Sequence, residues 1–92
     1  MEIKVYCHEI VSGSDVGMHF SASLELSVAA AGEYRRAFRV LDPGGSPLGS
    51  LAIYEMVLQL PDFATMIDLL NSPQSLLYTC LKNRRIVAFS QD

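Results

Sequence analysis

Residues 18–28 alternate without a break. Met18, Phe20, Ala22, Leu24, Leu26 and Val28 are apolar, and His19, Ser21, Ser23, Glu25 and Ser27 between them are polar. Period two over eleven residues predicts a strand with one buried and one wet face. Such a strand needs a pairing partner and a layer to cover its apolar side, which limits the fold to a sheet with something packed on it.

The partner is predicted just upstream. Over residues 2–11, Ile3, Val5 and Cys7 fall on one side and Lys4, Tyr6 and His8 on the other. The connector Ser12-Gly13-Ser14-Asp15-Val16-Gly17 has loop chemistry, so the two segments are expected to pair as a hairpin. Past Gly32 the alternation resumes over residues 34–41, with Tyr34, Arg36, Phe38 and Val40 against Arg35, Ala37, Arg39 and Leu41. A loop at 31–33 would align the apolar faces and set Arg39 opposite Glu25. Asp42-Pro43-Gly44-Gly45-Ser46-Pro47 is a turn and loop, because proline and glycine set the backbone as turns require.

Residues 50–60 fit two elements. As a strand, Ala52, Tyr54, Met56, Leu58 and Leu60 form one apolar face. As a helix, Ser50 would be the N-cap, and Glu55 and Gln59 would share a polar stripe. Pro61 marks a change of element and suits the first turn of a following helix, which favours the strand. That helix is expected over 61–71, with Phe63, Met66, Ile67 and Leu70 on one face and Asp62 near the positive end of the dipole. Asn71-Ser72-Pro73 stops it. A closing hairpin is expected from residues 75–82 and 85–90, turning at Asn83-Arg84.

The expected architecture is therefore α+β: an antiparallel meander of about four strands, one helix on one face, and a C-terminal β-hairpin. At 92 residues residues 1–92 form a single domain, since so short a chain builds one core. Half of the residues are apolar and only 18% are charged. A small domain cannot hide that much apolar surface, and burying the surplus against a second copy is the simplest remedy. The leading expectation is thus a non-enzymatic interaction module acting as a homodimer, with 51–60 and the last hairpin supplying the interface.

Charge suggests the rival. Six of the seven basic residues lie in two clusters, Arg35, Arg36 and Arg39, then Lys82, Arg84 and Arg85. Guanidinium groups hold phosphate oxygens through a planar fork, so Lys82, Arg84 and Arg85 with Arg35 are the candidate anion-binding residues, for a phosphorylated metabolite or RNA. Lys82 opposite Arg85 in the expected hairpin would be a like-charge pair that an anion relieves. Against this, the net charge is −3 and the pI about 5.2, and no nucleic-acid-binding module is visible.

Other chemistry is sparse. His8 and His19 are expected to be neighbours on the wet face of the first hairpin, with Tyr6 and Ser21 nearby, a pair that could exchange protons near neutral pH. No nucleophile motif accompanies them, so no catalytic residue is assigned. Cys7 and Cys80 form no Cys-x-x-Cys pair, and Cys7 and His8 point to opposite faces of a strand, so neither metal nor cofactor is expected. Both cysteines lie in apolar stretches, which suits a reduced, cytoplasmic setting. No segment has the ~18 apolar residues of a spanning helix, and Met1-Glu2-Ile3-Lys4 does not begin a signal peptide.

Overall fold

The alternating segment 18–28 turns out to span two elements. The computed structural model describes residues 1–14 and 17–91; Asp15 and Val16, within the expected 12–17 connector, lie outside them. Strand β1, Glu2–Glu9, pairs antiparallel with β2, Met18–Ser21. The expected first hairpin is present, and His8 stands opposite His19. At Ser23 the chain leaves the sheet and enters an 18-residue helix, α1, Leu24–Leu41.

Local chemistry explains that helix. The Ser23 hydroxyl accepts the Leu26 amide at 3.1 Å, Glu25 occupies the first turn and Arg39 the last. Each satisfies or complements a helix end. Between them lie Ala29-Ala30-Ala31 and then Glu33, Arg35, Arg36 and Ala37, all good helix formers. The expected strand over 34–41 is the second half of α1, and Gly32 sits inside the helix without breaking it. Glu25 and Arg39, expected to face each other across two strands, are fourteen residues apart on one helix, a rise of about 21 Å.

Alternation misled because the buried side of α1 is made of small and polar residues. Ser27, Ala31 and Arg35 are buried at four-residue spacing, whereas Leu26 and Val28 are exposed. A helix lying close on a sheet needs little side-chain volume at the contact, so its large apolar groups fall to the flanks. Sequence periodicity counts hydrophobicity and is blind to that steric demand.

Strand β3, Leu51–Gln59, follows the 42–50 loop, in agreement with the strand assignment for this segment. Asp62 caps α2, Phe63–Leu70, accepting the Thr65 amide at 2.8 Å; Pro61 stands one residue before the cap rather than in the first turn. The Asn71-Ser72-Pro73 stop is present, and Pro73–Ser75 forms a 3₁₀ turn leading into the short helix α3, Leu76–Cys80. Strand β4, Leu81–Ser90, closes the fold. The expected hairpin of 75–82 with 85–90 is replaced by α3 and this single strand, which pairs antiparallel with β3. Asn83 and Arg84 are mid-strand.

Among the described residues the architecture is α+β, a four-stranded antiparallel sheet in the order β2-β1-β3-β4 with three α-helices. α1 lies on one face, where Tyr34 packs near His8 and Arg35 reaches Ser90. The opposite face carries Ile3, Val5 and Leu58 toward Leu76, Leu77 and Cys80 of α3. The sheet is thus covered in part by α1 and in part by α3, and α2 is not the helix that covers it. Cys7, Ala31, Leu51, Ile53 and Met56 are the most deeply buried apolar residues, three of them on β3 between its two partners. Burying each large side chain stabilises the fold by about 1.5–3 kcal/mol. Where the β1–β3 ladder ends, the buried Glu9 carboxylate takes the Ala52 amide at 2.7 Å.

Candidate interaction surface and the basic residues

Leu51–Gln59 and Leu81–Ser90 pair side by side, and this register decides where the basic residues go. Glu55 stands opposite Arg85 and Met56 opposite Arg84. Successive strand residues point to opposite faces, so Arg84 and Arg85 diverge. Arg85 donates from Nε to Glu55 Oε1 at 3.1 Å. The same carboxylate accepts the Tyr6 hydroxyl at 3.0 Å and has Lys4 Nζ at 4.0 Å. The hydrogen bond from Arg85 holds the Glu55 carboxyl below its ordinary range, and its bond to Tyr6 pushes the phenol up.

On the other face the Arg84 guanidinium lies over the Tyr54 ring, 5.1 Å from its centroid. Lys82 pairs with Glu2 across the sheet, and that bond lowers the Glu2 carboxyl. Lys82 and Arg85 share one strand and are not a cross-strand pair. Arg35, the fourth candidate, is 5% exposed and belongs to the fold. Its Nε donates to Ser90 Oγ at 2.7 Å, and its Nη2 donates to the carbonyls of Ser90 and Gly49. Ser90 is five residues along β4 from Arg85, about 17 Å at the usual strand rise. The structure therefore groups Lys82, Arg84 and Arg85 along β4, divides Arg84 from Arg85 by face, and sets Arg35 apart at the far end.

The histidines do meet. His8 and His19 stack with ring centroids 5.3 Å apart, and Tyr34 lies 6.0 Å from His8. They line a cleft of about 330 Å³ with Ala30, Glu33, Tyr34 and Ala37. The expectation that both face water fails for His8, which α1 covers to 2% exposure. Its Nδ1 donates to the Glu9 carbonyl at 2.8 Å, leaving Nε2 as the acceptor in the neutral ring. The Tyr34 hydroxyl donates to the Ile10 carbonyl at 3.2 Å. Among the described residues no three of His, Cys, Asp and Glu gather as a metal site would require.

Both cysteines are free and buried, as their apolar surroundings implied. The Cys7 thiol donates to Met18 Sδ at 3.4 Å, and burial pushes its pKa up to about 11. Such a thiol is packing rather than a nucleophile.

The most exposed apolar surface lies elsewhere. On α2, Phe63, Ile67 and Leu70 are 82%, 43% and 60% exposed, whereas Leu69 is buried. The face expected to pack on the sheet, Phe63-Met66-Ile67-Leu70, is turned largely outward, and only Met66 of the four is half-buried. Beside it runs a groove of about 410 Å³ between the sheet and the helices, walled by Ile3, Val5, Phe20, Leu58, Leu60, Met66, Pro73, Leu76, Leu77 and Cys80. Among the described residues no charged one lines it. The available signal was composition: α2 has six apolar residues out of eight, more than one stripe of a surface helix uses. Sequence alone does not say which of them turn inward.

Comparison of the chain with family models, with curated proteins and with solved structures gives no match in any of the three. Among the described residues no helix is long and apolar enough to cross a membrane.

Proposed function

We propose that this chain is a non-enzymatic interaction module that works as a homodimer. The observation that carries this reading is the outward-facing apolar stripe of α2 beside an open groove with an apolar wall. Isolated exposed apolar residues are ordinary on protein surfaces, but a contiguous patch of this kind marks a contact. The shape of the chain supports it. The radius of gyration is 15.0 Å and the extents 49 × 25 × 19 Å, against about 12 Å for a compact chain of this length. An elongated small domain exposes more apolar surface than a sphere, and a second copy is the commonest way to cover it.

The rival, an anion-binding module using Lys82, Arg84, Arg85 and Arg35, has a cost to meet. A phosphate on β4 would compete with Glu55 for Arg85 and with Glu2 for Lys82, and Arg35 is already engaged with Ser90 and Gly49. Two free, buried thiols suit a reducing compartment, and we assign the module to the cytoplasm on that ground.

Light scattering of the purified chain tests the proposal. The expected mass is twice the 10.1 kDa of one chain, and a monomer persisting at high concentration overturns it. Salt-sensitive retention on heparin, abolished by Arg84→Glu with Arg85→Glu, would instead favour the anion-binding rival.

A further inference from the structure

Among the described residues three elements, β4, α1 and α2, expose two or more large apolar side chains. Strand β4 lies at an edge of the sheet and exposes Ile86 and Phe89. It also carries Lys82, Arg84 and Arg85 and two breaks in register, between Ile53 and Tyr54 and between Val57 and Leu58 of its partner. Edge charges and irregularities are the devices that keep strand edges from pairing. The exposed apolar residues of α1 are split between its ends, Leu26 and Val28 at one and Val40 and Leu41 at the other. Residues 28 and 40 are separated by about 18 Å of helix rise, too far for one cluster. The α2 side remains.

We propose that two copies meet through this side, the Phe63-Ile67-Leu70 stripe of each chain packing into the groove of the other. This rests on the homodimer reading and specifies its surface. A two-fold contact sets each patch against its own copy, so any charge on the patch would meet a like charge nearby. The stripe and the groove wall have none, a condition that a contact with an oppositely charged partner would not impose.

The area is also suitable. Ile3, Phe20, Leu60, Phe63, Ile67 and Leu70 are all in the exposed class. Summed by their fractions they amount to about three fully exposed side chains. At roughly 150–250 Å² for an aromatic side chain, with Ile and Leu at the low end of that range, this is on the order of 500 Å² per chain. The pair would then bury about 1,000 Å² from these side chains alone, and a rim of polar groups and backbone brings it into the range of a specific interface.

The same shape permits reciprocity. Phe63, Ile67 and Leu70 project at i, i+4 and i+7, the spacing by which a helix anchors in a groove. Met66, one position from Ile67 on the helix, lies in the groove wall and joins stripe to groove.

Ile67→Glu with Leu70→Glu tests the surface. Both positions are exposed, so the fold should persist by circular dichroism while the dimer weakens by about a hundredfold or more, as when buried anchors become charged. Phe89→Glu on β4 should leave the dimer intact. A wild-type dimer that survives the double substitution, or is broken by Phe89→Glu, overturns this surface and leaves the homodimer reading standing. A monomeric wild type overturns both. Methyl shifts of the wild-type chain on dilution, which need no variant, should concentrate at Leu58, Leu60, Ile67 and Leu70; shifts concentrated at Ile86 and Val87 would count against the proposal.

Discussion

Arg35 donates from Nε to Ser90 Oγ at 2.7 Å, joining the middle of α1 to the last residue of β4. Through Nη2 it also serves the Ser90 and Gly49 carbonyls. One buried guanidinium thus holds a helix, the terminal strand and the 42–50 loop together.

Arg35→Met should therefore destabilise the fold by about 2–4 kcal/mol, because it removes three charge-assisted hydrogen bonds and leaves part-buried carbonyls of Gly49 and Ser90 without their donor. In a domain this small that is about 10–20 °C in the thermal midpoint. Arg36→Ala, on the exposed side of α1, should stay within about 0.5 kcal/mol. Equal midpoints for the two variants in thermal denaturation would sink this account of Arg35.

Two glycines should respond with opposite sign. A Cβ built at Gly32 meets nothing nearer than Arg36 Nη1 at 3.7 Å, an ordinary contact. Gly32→Ala should then stabilise by about 0.5–1 kcal/mol, from helix propensity and the smaller entropy of the unfolded chain. Gly49 has φ of +81°, so Gly49→Ala should destabilise by about 1 kcal/mol or more, since an L side chain is strained there. Urea midpoints measure both, and a destabilising Gly32→Ala would contradict the helical assignment of residues 31–33.

Acid should weaken the fold through named carboxylates. Glu2 is lowered by its hydrogen bond from Lys82, Glu55 by that from Arg85, and Asp62 by the Thr65 amide. Each folded pKa lies below the unfolded value of about 4. The stability they confer is fully present above that value and is lost as pH falls through the lower folded values. The urea midpoint should decline from about pH 5 downward, and Glu55→Gln should make that decline shallower. A midpoint unchanged between pH 6 and pH 3 would show that these bonds contribute nothing.

Much of the fold was legible in residues that act locally. The β1–β2 hairpin followed from alternation and the Ser-Gly loop, β3 from the proline that ends it, and α2 from its spacing and the Asn-Ser-Pro stop. The error at 24–41 is equally instructive. Leu24, Leu26 and Val28 do alternate with Glu25 and Ser27, but the Ser23 cap and the three alanines commit the segment to a helix. The hairpin expected at the C-terminus failed for a related reason: residues 76–80 can turn as a helix once β3 is available to pair with 81–90.

The amino-acid sequence by itself determined the α+β class, the burial of both cysteines, the meeting of His8 with His19, and a surplus of apolar surface. Each is signalled by composition, by apolar surroundings in the chain, or by the alternation that pairs the first two strands. Only the tertiary structure decided which residues carry that surplus. It laid α1 over the sheet through Ser27 and Ala31, buried Arg35 beneath it, separated Arg84 from Arg85 by the pleat of β4, and left Phe63, Ile67 and Leu70 facing out. Those outcomes depend on which elements pack against which, a competition among surfaces distant in sequence that no local spacing records.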